Sequence, residues 1–95
     1  MTSKQRAYLR SLAININAIF QVGKNGISDN LIKQVDDALE ARELIKISVL
    51  ETAPEAIKDI GNNLAEKTNS ILVQIVGSKI TLYRKRNKNS KIELP

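Results

Sequence analysis

One short segment restricts this chain more than any other. Two β-prone runs, Ile71 to Val76 and Lys79 to Arg84, are separated only by Gly77-Ser78. That is the spacing and chemistry of a two-residue type II′ turn, whose first position requires the φ > 0 that glycine supplies without strain. The two runs must therefore pair antiparallel. An isolated hairpin is marginal in water, so the rest of the chain has to supply further strands and a covering layer.

The upstream residues read as that supply. Thr2 and Gln5 fit a capping box, and Tyr8, Leu9, Leu12 and Ala13 recur at helical spacing, which predicts a helix over 3–13 with Arg6 and Arg10 on one side. Ala18-Ile19-Phe20-Gln21-Val22 suits a buried strand. Ser28 can cap a helix ending near Arg42, with Leu31, Ile32, Val35, Ala38 and Leu39 as its apolar stripe. From Leu44 to Leu50 the pattern nearly alternates, with Ile45, Ile47 and Val49 on one face and Lys46 and Ser48 on the other. A third helix is expected with Pro54 in its first turn after Thr52 or Ala53; Ile57, Ile60 and Leu64 are its buried stripe, Gly61 its close-packing point and Asn69 its stop.

The order is thus α-β-α-β-α-β-β. Helical crossovers favour parallel pairing of the early strands, so the expected fold is a compact single-domain α/β protein with a four-stranded mixed sheet packed by helices. Ninety-five residues, 42% hydrophobic and 26% charged, match one ordinary globular domain. The domain is expected over 1–86. Residues 87–95 (NKNSKIELP) offer only Ile92 and Leu94 for burial and read as a mobile, basic C-terminal tail.

Catalysis is disfavoured by what the chain lacks. With no histidine and no cysteine, the usual general base near neutral pH, the thiol nucleophile and the strongest metal ligands are missing. Asp29, Asp36, Asp37, Glu40, Glu43, Glu51, Glu55, Asp59 and Glu66 fall mainly on expected helix exteriors, interspersed with lysine, and read as a solvated face. The expectation is a protein that is not an enzyme, with no cofactor, metal or small-molecule substrate. MTSKQRAYLR has no signal-like apolar stretch and no run approaches a membrane span, so a cytoplasmic, non-membrane protein is expected.

Charge points to a polyanion. Residues 1–12 carry Lys4, Arg6 and Arg10 with no acid, and residues 84–95 carry Arg84, Lys85, Arg86, Lys88 and Lys91 against Glu93. The middle of the chain holds seven bases and nine acids, so all of the net +5 resides at the two ends. Brought together by the fold, those ends would form a basic surface. Gly23-Lys24-Asn25-Gly26 lies between a strand and a helix N-terminus, where glycines permit φ > 0 and close approach, and free N–H groups favour phosphate. A Walker A loop would need glycine at Ala18 and a dinucleotide loop would need it at Gln21, so both are excluded. What remains is a GxxG turn of the kind that clamps a nucleic-acid backbone. Tyr8, Phe20 and Tyr83 are too few aromatics for a base-stacking platform, and Phe20 reads as core.

Four blocks, TSKQRAYLRSLA, FQVGKNGIS, LEARELIKISVL and VQIVGSKITLYR, together resemble the CRM domain (chloroplast RNA splicing and ribosome maturation), in its stand-alone bacterial YhbY type, over residues 2–86. The resemblance implies a fold similar to the C-terminal domain of bacterial translation initiation factor three and an association with large-ribosomal-subunit precursors. By position it puts the RNA-binding loop on Gly23 to Gly26 and the basic surface on Lys46 and Arg84, beside Lys4, Arg6, Arg10, Lys85 and Arg86. Two departures stand out: Ile14 or Asn15 replaces a frequent family histidine, and Ala18 a frequent proline. Any RNA contact by that histidine is lost. The function implied is an rRNA-binding assembly factor; the alternative is an adaptor docking acidic proteins through its basic ends. DNA readout is disfavoured because the most regular helix carries Asp29, Asp36, Asp37 and Glu40.

Overall fold

The computed structural model describes residues 1–86 and 89–95. The chain runs α1 (Ser3–Ala13), β1 (Ala18–Val22), α2 (Asp29–Arg42), β2 (Leu44–Val49), α3 (Ile57–Lys67), β3 (Ile71–Val76) and β4 (Lys79–Tyr83). The strands form one sheet in the order β1-β2-β4-β3. β1 and β2 pair parallel across the α2 crossover, while β2–β4 and β3–β4 are antiparallel. The expected α/β mixed sheet is thus present, with β4 inserted beside β2. Gly77 takes φ 59 and Ser78 has no positive φ, as a type II′ turn requires.

Strand alternation divides the interior into two layers. Val22, Ile45, Ile47, Val49, Ile80 and Leu82 face α2 and α3, meeting Leu31, Val35, Leu39, Ile60 and Leu64. Leu44, Val73 and Tyr83 face the other way and are covered by Leu9 and Ala13 of α1. A Cβ on Gly61 would lie 3.2 Å from both δ-carbons of Leu72, so glycine here allows α3 to approach β3 closely. A bulge between Leu72 and Gln74 interrupts the β3–β4 register, and Arg6 Nη1 donates to the carbonyls of Leu72 and Val73 at 2.9 and 2.6 Å. Arg6 thereby satisfies acceptors along the outer edge of β3.

Three local expectations change. The third helix begins at Ile57, with Ala56 as an N-cap that makes no side-chain bond. Pro54 lies ahead of it in the connecting segment, where its γ-carbon would come within 3.1 Å of a Cβ on Gly26. Leu50 to Ala53 close a turn instead, with Ala53 N donating to the Leu50 carbonyl at 3.0 Å.

Glu43 is the second change. Expected among solvated acids, it is completely buried and takes φ 66 at the α2 C-cap, a conformation an L side chain rarely adopts. Its carboxylate accepts from the Ser90 hydroxyl at 2.8 Å and from the Lys91 backbone N–H. Burial pushes its pKa up, but the bonds from Lys91, Ser90 and the Arg86 and Ile92 backbones outweigh this and hold it below the ordinary 4.5.

The third change follows from the second. Ile92 and Leu94 pack on the α1 layer, so residues 89–95 lie against the domain as a strap and are not a free tail. Asn87 and Lys88 of the expected tail lie outside the described residues. The two chain ends do meet, because Leu9, Leu12, Ile92 and Leu94 share one apolar cluster. Among the described residues, no helix is long and apolar enough to cross a membrane, and no group of His, Cys, Asp or Glu could hold a metal.

Candidate nucleic-acid interface

The glycine turn closes by a hydrogen bond from Gly26 N to the Gly23 carbonyl at 2.9 Å. Gly26 alone has positive φ, at 63. Gly23 does not need it, and a Cβ there would meet only Leu50 Cδ1 at 3.6 Å and Thr52 Oγ1 at 3.7 Å. The expectation that both glycines are there for φ > 0 therefore applies to one of them. Lys24 and Asn25 are exposed between them. Ser28 then caps α2 by accepting from Leu31 N at 3.1 Å, leaving the other first-turn N–H groups beside the turn. Turn and Leu50–Thr52 segment face each other across a cleft of about 460 Å³.

α1 covers only the end of the sheet where Leu44 and Tyr83 pair. Toward the glycine turn, that same face carries two cross-strand rows. Register places Gln21 opposite Ser48 and Ser48 opposite Lys79, and places Lys46 opposite Thr81 and Thr81 opposite Gln74. Lys46 and Lys79 are thus diagonal neighbours, within reach of one phosphate. The Lys79 ammonium reaches the Ser48 hydroxyl at 3.3 Å. Lys79 was not among the residues singled out from the sequence; strand alternation gives its face only once β4 is known to lie beside β2.

The expected basic residues divide into two groups. Lys4, Arg10, Lys24 and Lys85 are exposed, and Lys46 is half-buried. Arg6 is committed to the β3 carbonyls. Arg84 is committed more fully: its guanidinium donates to the Asp36 carboxylate, to the Asp36 carbonyl at 2.9 Å and to the Thr68 carbonyl at 2.8 Å, and lies 3.6 Å from Glu40. These two side chains join elements of the fold. Arg86 is half-buried, with its Nε unpartnered among the described residues. Since β2 and β4 are antiparallel, the glycine turn and Arg84–Arg86 sit at opposite ends of the sheet, about 16 Å apart along a six-residue strand.

Asp29, the first residue of α2, and Glu51 adjoin the glycine-turn cleft without lining it, and six further carboxylates line other clefts. Asp36, Asp37 and Glu40 line one cleft beside Arg84, and Glu55, Asp59 and Glu66 line another along α3. None lines the cleft at the glycine turn.

Fold and surface together define a small α/β domain that carries a glycine turn at a helix N-terminus and a lysine-bearing sheet face left open by its helices. Residues 1–84 match the CRS1 / YhbY (CRM) domain, and the chain belongs to that family. It is similar to a Bacillus subtilis protein named probable RNA-binding protein YqeI, with 50% identity over 95 residues covering 100% of this chain and 99% of the relative. A Haemophilus influenzae protein named RNA-binding protein is 32% identical over 95 residues, covering 100% and 95%. The solution structure of a Staphylococcus aureus protein matches with a TM-score of 0.84 at 54% identity, covering 100% of this chain and 99% of that one.

Proposed function

We propose that this chain binds RNA, and specifically rRNA in precursors of the large ribosomal subunit, as a non-catalytic assembly factor. The observation that carries the reading is the glycine turn at the α2 N-terminus, set in a cleft with no carboxylate among its lining residues and lying at the same end of the sheet as the Ser48–Lys79 row. Backbone N–H groups and Lys24 would hold one phosphate, Lys46 and Lys79 the next, and Lys4, Arg10 and Lys85 would extend the contact across the α1 face. The names of the Bacillus and Haemophilus relatives support RNA as the ligand. The family resemblance supports the ribosomal setting.

Binding of this kind is electrostatic, so affinity for structured RNA should fall steeply with salt. An adaptor for acidic proteins would instead keep its partner after nuclease treatment. The test is Lys24→Asp with Asn25→Asp, which leaves both glycines in place and touches no buried residue. The double variant should remain folded and lose at least about tenfold in RNA affinity, or about 1.4 kcal/mol. A folded variant that bound RNA and co-sedimented with ribosomal precursors like the parent would refute the site.

A further inference from the structure

We propose that the groove along the free edge of β1 is a subsite for an unpaired RNA segment, in which amide side chains read base edges while the glycine turn holds the adjoining phosphate. The inference rests on the RNA-binding reading above and adds the form of RNA recognised. Among the described residues β1 is an edge strand, paired only with β2. A cleft of about 690 Å³ runs beside it, and a second of about 460 Å³ continues to the glycine turn; Gln21, Leu31 and Gln34 line both. The two form one groove.

Its lining differs from that of the acidic clefts along α2 and α3. Asn17, Gln21, Asn25, Asn30 and Gln34 contribute five amides to its walls, Lys24 and Lys79 contribute the cations, and no carboxylate lines it among the described residues. Asn30 and Gln34 are one helical turn apart on α2, so both face the groove from one side while Gln21 faces it from the strand. Gln21, Asn30 and Gln34 are all exposed and therefore open to a ligand.

An amide presents a donor and an acceptor side by side, the complement of a nucleobase edge. Those edges are reachable in RNA only where bases are unpaired, because the A-form major groove is too deep and narrow for side chains. Phe20 is half-buried and lines the groove, offering an apolar wall to a base. The absence of carboxylates and the presence of two lysines match a phosphate chain. An uncharged extended peptide pairing with the β1 backbone would have no use for that charge pattern.

The test is fluorescence anisotropy with single-stranded RNA octamers of differing base composition and a blunt RNA duplex of equal length, comparing the parent chain with Gln21→Ala/Gln34→Ala and Lys79→Ala. The parent should prefer single strands to the duplex and one composition over the others by at least about fivefold. The double amide variant should lose the composition preference, to within about twofold, while keeping the salt slope. Lys79→Ala should weaken all octamers alike and lower that slope by about 0.7. Equal binding of duplex and single strands, or a double amide variant indistinguishable from the parent, overturns the subsite, and an extended-peptide ligand for this edge would produce the second result. If the Lys24→Asp/Asn25→Asp chain loses RNA in the same assay, only the subsite falls. If it too binds like the parent, the RNA-binding reading falls with it.

Discussion

Replacing the two glycines of the turn separately, Gly26→Ala and Gly23→Ala, should produce opposite effects on stability. At Gly26 the backbone has φ 63, and an added Cβ would sit 3.1 Å from the γ-carbon of Pro54. An L side chain in the left-handed region costs roughly 1–2 kcal/mol, and displacing Pro54 by a few tenths of an ångström adds to it. A total of about 2 kcal/mol in a domain of this size lowers the melting temperature by roughly 8–16 °C. At Gly23 the φ is not positive and the nearest contacts, at 3.6 and 3.7 Å, are ordinary ones. Alanine there restricts the unfolded chain, so stability should be unchanged or higher by about 0.4–1 kcal/mol. Differential scanning calorimetry of the two variants, with Pro54→Ala added to Gly26→Ala to separate the contact from the dihedral, checks the reasoning. Equal destabilisation by both substitutions, or full rescue of Gly26→Ala by Pro54→Ala, would refute the account of the turn.

Glu43→Gln should cost about 2 kcal/mol, because the amide cannot offer both oxygens to Ser90 and Lys91; earlier cleavage of the C-terminal strap in limited proteolysis reads the loss directly. Folding lowers the Glu43 pKa, so the unfolded chain takes up that proton first as pH falls. The stability it contributes is present above 4.5 and lost below it, which acid titration of the unfolding free energy should show for the parent and not for Glu43→Gln. Tyr83 behaves in the opposite sense: burial and the Glu43 carboxylate raise its pKa, so its contribution is intact below 10.0 and disappears as pH rises beyond that. Arg84→Met should lower stability by about 2 kcal/mol yet leave RNA affinity within about twofold, since its guanidinium faces Asp36, Glu40 and Thr68. Deleting residues 89–95 should also lower the denaturant midpoint, because it removes the Ser90 and Lys91 donors of Glu43 and exposes the surface under Ile92 and Leu94.

Local chemistry was sufficient for most of the elements. The Thr2/Gln5 capping box, Ser28 as a cap, the Gly77-Ser78 turn and the period of each apolar stripe act within a few residues, and the structure reproduces them. α3 starts later than its sequence pattern predicts because Pro54 packs on Gly26, a tertiary contact that outweighs its local preference for the first turn of a helix. Part of the candidate surface was legible for the same local reason: Lys24, Asn25 and the flanking glycines sit within one turn, and Lys46 alternates with its buried neighbours. Lys79 and the amides of the β1 groove were not, because their proximity depends on β4 entering beside β2 and on α2 lying along a free strand edge.

The sequence by itself thus determined the secondary elements, the antiparallel hairpin and the position of the glycine turn, all of which arise from interactions between near neighbours. Tertiary structure decided which charges remain available. Arg6, Arg84 and Glu43 look in the sequence like any other surface charge, but each is drawn into the fold by acceptors or donors 16 to 67 positions away. A charge's partner is set by where the backbone carries it, and no pattern of neighbouring residues records that.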